Sequence, residues 1–307
     1  MKLETNKYLI TVIGPTAIGK TALAIRLANY FETEIISSDS RQFYKEMNIG
    51  TAVPTASELD QAKHHFIQNR SIFEDYSVGQ FEREALKSLD LLFKSHDFAI
   101  LVGGSGLYID AVLKGLDNFP DVDIAIRKEL KKQLKDKGIT LLQERLKMMD
   151  LETWEKMDLN NPQRLIRALE ICLGTGKPYS SYLTDKQSKR NFIPIKIGIQ
   201  ADRKIVYERI EKRVDNMMKE GLLEEAKSLY PHKELNALQT VGYKELFNYL
   251  DGVWDLDFAI TEIKKNTRRF AKRQFTWFRK DEAIRWFDFQ EDPENIIEYI
   301  LSVIRSE

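Results

Sequence analysis

Residues Tyr8-Leu9-Ile10-Thr11-Val12-Ile13, followed at once by Gly14-Pro15-Thr16-Ala17-Ile18-Gly19-Lys20-Thr21 and then by Ala22–Phe31, decide how this chain is read. The first stretch is a short β-branched run and the second a glycine-bounded turn. The third repeats apolar side chains at helical spacing through Leu23, Leu27 and Phe31. The octapeptide satisfies G-x-x-x-x-G-K-[ST] and lies between strand and helix, as that phosphate-binding pattern requires. Its glycines let backbone amides turn toward phosphate oxygens at a helix N-terminus, where the dipole favours an anion. Lys20 supplies neutralising charge, and the Thr21 hydroxyl is placed to ligate magnesium. Gly14, Pro15, Thr16, Ala17, Ile18, Gly19, Lys20 and Thr21 are therefore the candidate diphosphate or nucleotide site, with Thr21 as metal ligand and Mg2+ as the expected cofactor.

Outward from the loop, Glu34–Ser38 reads as a second buried strand ending at Asp39. Phe98–Val102 reads as a third, running into Gly103-Gly104-Ser105-Gly106, with a helical stretch from Val78 to Lys94 before it. This alternation predicts an α/β fold, a P-loop NTPase-like parallel sheet flanked by helices. Such sheets bind ligands at the C-terminal ends of their strands, where Asp39 and Ser105 fall. After Gly115 the pattern changes. Asp123–Lys137, Leu141–Met149 and Pro162–Leu173 read as amphipathic helices, and no strand appears until Ile193–Gln200. Residues 116–190 are thus expected to form an all-helical insertion, leaning basic, within a core of residues 1–115 and 191–307. Asn161 as N-cap and Pro162 in the first turn start a helix that packs Leu165, Leu169 and Cys172 inward and leaves Arg164 and Arg167 one turn apart. Helices over Arg203–Lys219, Leu222–Leu229 and about 259–280 follow. In the last, Ile260, Ile263, Thr267, Phe270, Gln274, Trp277 and Phe278 form the expected packing stripe, with Lys264, Arg268, Lys272 and Arg279 opposite.

The chain has 307 residues, 43% hydrophobic and 31% charged, enough for a large core and inconsistent with a fibre or a disordered tail. Lys plus Arg and Asp plus Glu both total 47, which predicts no global attraction to polyanions. Locally the balance breaks: Lys264–Lys280 holds Lys264, Lys265, Arg268, Arg269, Lys272, Arg273, Arg279 and Lys280 with no acid, and Asp281–Glu307 is acidic. No apolar run is long enough to span a bilayer, and Met1–Lys7 has no signal-like core, so a cytoplasmic protein without a membrane partner is expected. Cys172 is the one cysteine and reads as a core residue. The adjacent His64 and His65 point to opposite faces of an extended segment and read as structural rather than metal-binding.

The loop does not specify its phosphate compound. Phe98–Val102 ends in glycines rather than in the magnesium-binding Asp of an ATPase, which weakens a motor or switch reading. Asp39 is then a metal-side residue or a base acting on an acceptor. These residues alone leave open a small-molecule kinase with Asp39 as its acceptor base and a non-catalytic, nucleotide-gated RNA binder.

Taken with Ile35–Gln42, Ile49-Gly50-Thr51-Ala52, His64-His65-Phe66, Tyr76-Ser77-Val78, Gly103–Tyr108, Asn161–Glu170, Val241-Gly242-Tyr243-Lys244 and Lys272–Arg279, the loop resembles the tRNA dimethylallyltransferases, also called tRNA isopentenyltransferases, in their bacterial form. The resemblance spans nearly the whole chain. It implies transfer of a dimethylallyl group from dimethylallyl diphosphate to the adenosine just 3′ of the tRNA anticodon, by a monomer whose helical insertion grips the anticodon arm. It places the donor on Thr16–Thr21, the acceptor-side base on Asp39 and a diphosphate-contacting arginine on Arg213. It places tRNA contacts on Asp39, Ser40, Arg41, Gln42, Ser105, Arg127, Gln163, Arg164, Leu165, Ile166 and Arg167, on Gln239, Thr240, Val241, Gly242, Tyr243 and Lys244, and on Lys272, Arg273, Gln274, Phe275, Thr276, Trp277, Phe278 and Arg279. Asn48, Val53 and Gln68 depart from residues common in the family. Ser105 replaces a usual Thr and keeps its hydroxyl.

Overall fold

A computed structural model describes residues 6–184 and 188–306. The chain forms two compact units, one of Met1–Lys114 with Lys189–Glu307, the other Gly115–Ser188.

In the larger unit strands and helices alternate, β1 (Tyr8–Ile13), α1 (Lys20–Tyr30), β2 (Ile35–Ser37), α3 (Val78–Leu92) and β4 (Phe98–Gly103) as the sequence predicts, with α2 (Ala56–Gln61), β3 (His64–His65) and α4 (Gly106–Lys114) besides. The helical unit supplies α5 (Ile124–Lys137), α6 (Ile139–Met149), α7 (Leu151–Lys156) and α8 (Pro162–Thr175). The chain then returns through β5 (Ile193–Gln200), α9 (Arg203–Lys219), α10 (Leu222–Leu229), α11 (Tyr243–Leu250), α12 (Leu256–Phe278), β6 (Arg285–Asp288) and α13 (Pro293–Ser306).

The six strands form one parallel sheet in the order β3-β2-β4-β1-β5-β6. Every residue of β1 is buried, which is why it reads as a continuous apolar run rather than as an alternating one. Period-two geometry still divides it: Ile10 and Val12 pack with Leu27, Val206, Ile210 and Ile297 on one face, while Leu9 and Ile13 pack with Phe81, Leu89, Ile109 and Phe278 on the other. Ile13 stands level with Gly103 of β4 and Gly198 of β5, so the phosphate loop leaves the sheet at its centre. A third cluster joins Met47, Val214, Leu238, Tyr243 and Ile263. In the helical unit, Leu130, Leu142, Leu165, Leu169 and Cys172 form a separate core.

Two expectations about α12 change. Phe270 is exposed rather than packed, Trp277 is 39% exposed although its ring lies on Gly106, and the buried stripe is Ala259, Ile263, Ala271, Gln274 and Phe278. The helix lies against α9, where Lys264 pairs with Asp215 at 2.6 Å and Arg268 with Glu211 at 2.7 Å. That flank is turned inward, so the stripe rotates away from Phe270. The paired cations are consequently not part of the open basic face.

Candidate active site

The phosphate loop owes its path to two glycines. Gly14 has φ +148°, and a Cβ there would come within 2.5 Å of the Ile199 carbonyl oxygen; Gly19 enters α1 at φ +105°. Lys20 folds back so that its Nζ donates to the Pro15 carbonyl at 2.7 Å. Burial lowers its pKa to about 8, a shift opposed by the Asp39 carboxylate and reinforced by Arg213. Arg213 reaches the same place from α9, and burial lowers its pKa while Asp39 opposes the shift. Two desolvated cations thus lie within the field of one carboxylate, an excess of positive charge suited to an anion. The ends of β1 and β2 and one face of α9, far apart in sequence, meet here.

Asp39 is fixed by the loops around it. Ser38 ties β2 to β4 through its N–H and Oγ, which donate to the Val102 carbonyl at 2.7 and 3.0 Å. The Ser40 N–H donates to Ser105 Oγ at 3.1 Å, and the two hydroxyls share a hydrogen bond of 3.1 Å. Arg41 N–H donates to Asp39 Oδ1 at 3.2 Å. This half-buried carboxylate is therefore held at the C-terminal edge of the sheet, beside the loop.

Several candidates have structural work instead. The Arg41 guanidinium donates to the Asn236 and Ala237 carbonyls, and Gln42 Nε2 to Thr51 and Ala52. Tyr243 is fully buried, its hydroxyl donating to Glu225 Oε1 at 2.7 Å. Leu165, Ile166, Tyr243, Gln274 and Phe278 are corrected from RNA contacts to interior residues, because each lies on the packed side of its helix. Gln163, Arg164, Gln239, Lys244, Lys272, Arg273, Thr276, Trp277 and Arg279 are exposed, while Thr240, Val241 and Phe275 are half-buried and Gly242 is buried. In the helical unit Arg127 and Arg167 share Glu170, at 2.8 and 3.2 Å, and Arg164 and Arg167 line a cavity of about 480 Å³ with Tyr179. His65 meets Glu34 at 2.5 Å and His64 the Ala62 carbonyl at 2.7 Å; among the described residues no cluster of His, Cys, Asp and Glu could hold a metal.

Sequence reasoning missed three contacts. Arg209 Nε donates to the Ala17 carbonyl of the phosphate loop at 2.7 Å. Glu225 accepts from the Asn48, Ile49 and Gly50 amides at 2.8–3.0 Å, clamping the segment that Gln42 also holds. Gln274 bridges the loops after β1 and β4. None has a signal in the sequence, since each joins side chain to backbone across long separations.

If the exposed face of α12 meets RNA phosphates, replacing Lys272, Arg273 and Arg279 by Ala should weaken tRNA binding. Each lost contact should flatten the log–log salt dependence by roughly one unit. Filter binding across a salt series reads this directly, and an unchanged slope would mean a merely solvated face.

A glycine-bounded loop between β1 and α1, at the C-terminal ends of a parallel sheet and beside a half-buried carboxylate, gives the chain a P-loop NTPase-like fold. The family model described as IPP transferase matches residues 42–281. A tRNA dimethylallyltransferase of Flavobacterium johnsoniae is 58% identical, covering 98% of this chain and 99% of that protein. One from Christiangramia forsetii is 60% identical, covering 98% and 100%. Among solved structures, the full-length tRNA isopentenylpyrophosphate transferase of Bacillus halodurans is 36% identical with a TM-score of 0.73, covering 98% and 97%. A eukaryotic dimethylallyltransferase acting on tRNA is 27% identical with a TM-score of 0.77, covering 93% of this chain and 74% of that one. The chain belongs to the tRNA dimethylallyltransferase family. It is a transferase that modifies tRNA by isopentenyl transfer.

Proposed function

We propose that the chain takes its prenyl group from dimethylallyl diphosphate and places it on the exocyclic amine of the adenosine 3′-adjacent to the anticodon, position 37, giving N6-isopentenyladenosine and diphosphate. The observation that carries this is the convergence of Lys20, Arg213 and Asp39 at the strand ends. As the carbon–oxygen bond to diphosphate breaks, negative charge grows on the departing oxygens and positive charge on the allylic carbon. Lys20 and Arg213 stabilise the former. The adenine amine is a poor nucleophile because its lone pair is delocalised into the ring; Asp39 accepts its hydrogen bond, orients it and takes its proton as the carbon–nitrogen bond forms.

The Thr21 hydroxyl in the first turn of α1 suits a hard cation that draws its remaining ligands from diphosphate and water, since no protein cage is found among the described residues. When bound, Mg2+ supplies charge neutralisation on the diphosphate. The stacked acceptor base must leave the anticodon loop to reach Asp39. On this reading Ser40, Ser105, Gln239, Thr240, Lys244, Lys272, Arg273, Thr276, Trp277 and Arg279 in the larger unit, and Arg127, Gln163, Arg164 and Arg167 in the helical unit, hold the anticodon arm of a tRNA. On the same reading the protein acts as a cytoplasmic monomer. Among the described residues no helix is long and apolar enough to cross a membrane.

Inorganic pyrophosphate with magnesium should compete with dimethylallyl diphosphate in the transfer reaction, and noncompetitive or absent inhibition would contradict a shared site. Lys20 adds a pH signature. With its pKa near 8 in the free chain, it loses its proton as pH rises through that value, and an anion would hold the proton on. Pyrophosphate affinity should therefore fall above about pH 8, with net proton uptake on binding there. Calorimetry in two buffers of different ionisation enthalpy checks this.

A further inference from the structure

Helix α12 presents two chemistries. Lys272, Arg273, Thr276 and Arg279 are exposed, whereas Gln274 among them is only 5% exposed. Gln274 Oε1 accepts from the Thr16 N–H in the phosphate loop at 2.9 Å, and its Nε2 donates to the Gly104 carbonyl at 2.9 Å. These loops leave β1 and β4, neighbours at the centre of the sheet. A buried amide satisfied at both ends has one orientation, and losing it would leave an N–H and a carbonyl unpaired. One turn on, the Trp277 indole N–H donates to Asp110 Oδ2 at 2.8 Å, with its ring against Gly106, a second tie between this helix and the segment after β4.

We infer that Gln274 is a positioning residue that ties the phosphate loop to the RNA-facing helix, so that binding of RNA and binding of diphosphate favour each other. The inference rests on the loop being the diphosphate site. RNA phosphates gripped by Lys272, Arg273 and Arg279 bear on the helix whose buried amide fixes Thr16, and Thr16 adjoins the Pro15 carbonyl that Lys20 contacts. RNA that orders α12 orders the loop, and an anion that orders the loop orders α12. Coupling of this kind is reciprocal.

The test is calorimetric titration of magnesium pyrophosphate into the full chain, with and without a saturating unmodified anticodon stem-loop. The unaltered chain should bind pyrophosphate at least about fivefold more tightly with RNA present, the lower end of common coupling strengths. Gln274→Met should bring that ratio to about one while leaving RNA affinity alone within about twofold, a separation that a general loss of stability would not produce. Gly104→Ala tests the same link without altering Gln274. Its added Cβ would sit 2.2 Å from Gln274 Nε2 and displace that flexible end, and Gly104 does not have a left-handed backbone. It decides the matter if Gln274→Met does not fold. A ratio of one in the unaltered chain, or an unchanged ratio in a folded variant, overturns the inference. No pyrophosphate binding by the unaltered chain overturns the reading of the loop, and the inference with it.

Discussion

Lys20→Ala should lower the single-turnover rate of prenyl transfer about a thousandfold, at the upper end of what losing one preorganised donor costs. The contact strengthens as charge reaches the leaving diphosphate, so the loss falls on the chemical step more than on ground-state binding. In the free chain Lys20 is desolvated and rests on its own loop, at the Pro15 carbonyl, an arrangement that costs stability and that a bound anion would relieve. tRNA affinity should change little. Rapid-quench measurement with saturating magnesium checks this, and turnover near that of the unaltered chain would mean that the diphosphate is not held at this loop.

Asp39→Asn keeps the shape and removes the proton acceptor, so the chemical step should slow about a hundredfold or more, the usual range for a general base. Binding of tRNA and diphosphate at neutral pH should survive, placing the loss in the single-turnover rate. The Asp39 carboxylate also opposes the lowering of the Lys20 and Arg213 pKa values. The substitution should therefore move the alkaline fall in pyrophosphate affinity to lower pH, as the uncompensated cations destabilise the protonated lysine. If Asp39→Asn abolished magnesium-dependent diphosphate binding and left the bound-state rate intact, Asp39 would be a metal-side residue instead.

The elements that were legible in the sequence are those whose pattern is local. Tyr8–Ile13 and Ile193–Gln200 are apolar strands bounded by turn residues, and the structure places them at those residues. α8 announces itself by its Asn161 cap and Pro162, and α9 and α10 by their apolar spacing. β3 and β6 escaped because a two-residue strand and the mixed sequence Arg285–Asp288 carry no alternation long enough to read. α13 was masked by its acidity, although Ile296, Ile297 and Ile300 pack on the core.

At the site, the loop residues were legible because the phosphate pattern is itself a sequence. The use of Arg41, Gln42 and Gln274 was not. The apolar spacing of α12 puts Gln274 on the packing stripe, but only the path of the backbone shows that its amide reaches Thr16 and Gly104. The same reason hid Glu225, whose three amide partners lie far away on another segment. Side-chain bonds to distant backbone leave no periodicity, whereas amphipathic helices and glycine-bounded turns do.

In the proposed reaction this loop activates a prenyl diphosphate for attack by an RNA base. The most direct test of this is to incubate the full chain with magnesium, dimethylallyl diphosphate and unmodified tRNA, then map the product by nuclease digestion and mass spectrometry. A prenyl mass gain on one adenosine, immediately 3′ of the anticodon, with one diphosphate released per transfer, is the predicted result. No prenylated adenosine, or transfer only to free adenine nucleotide, would contradict it.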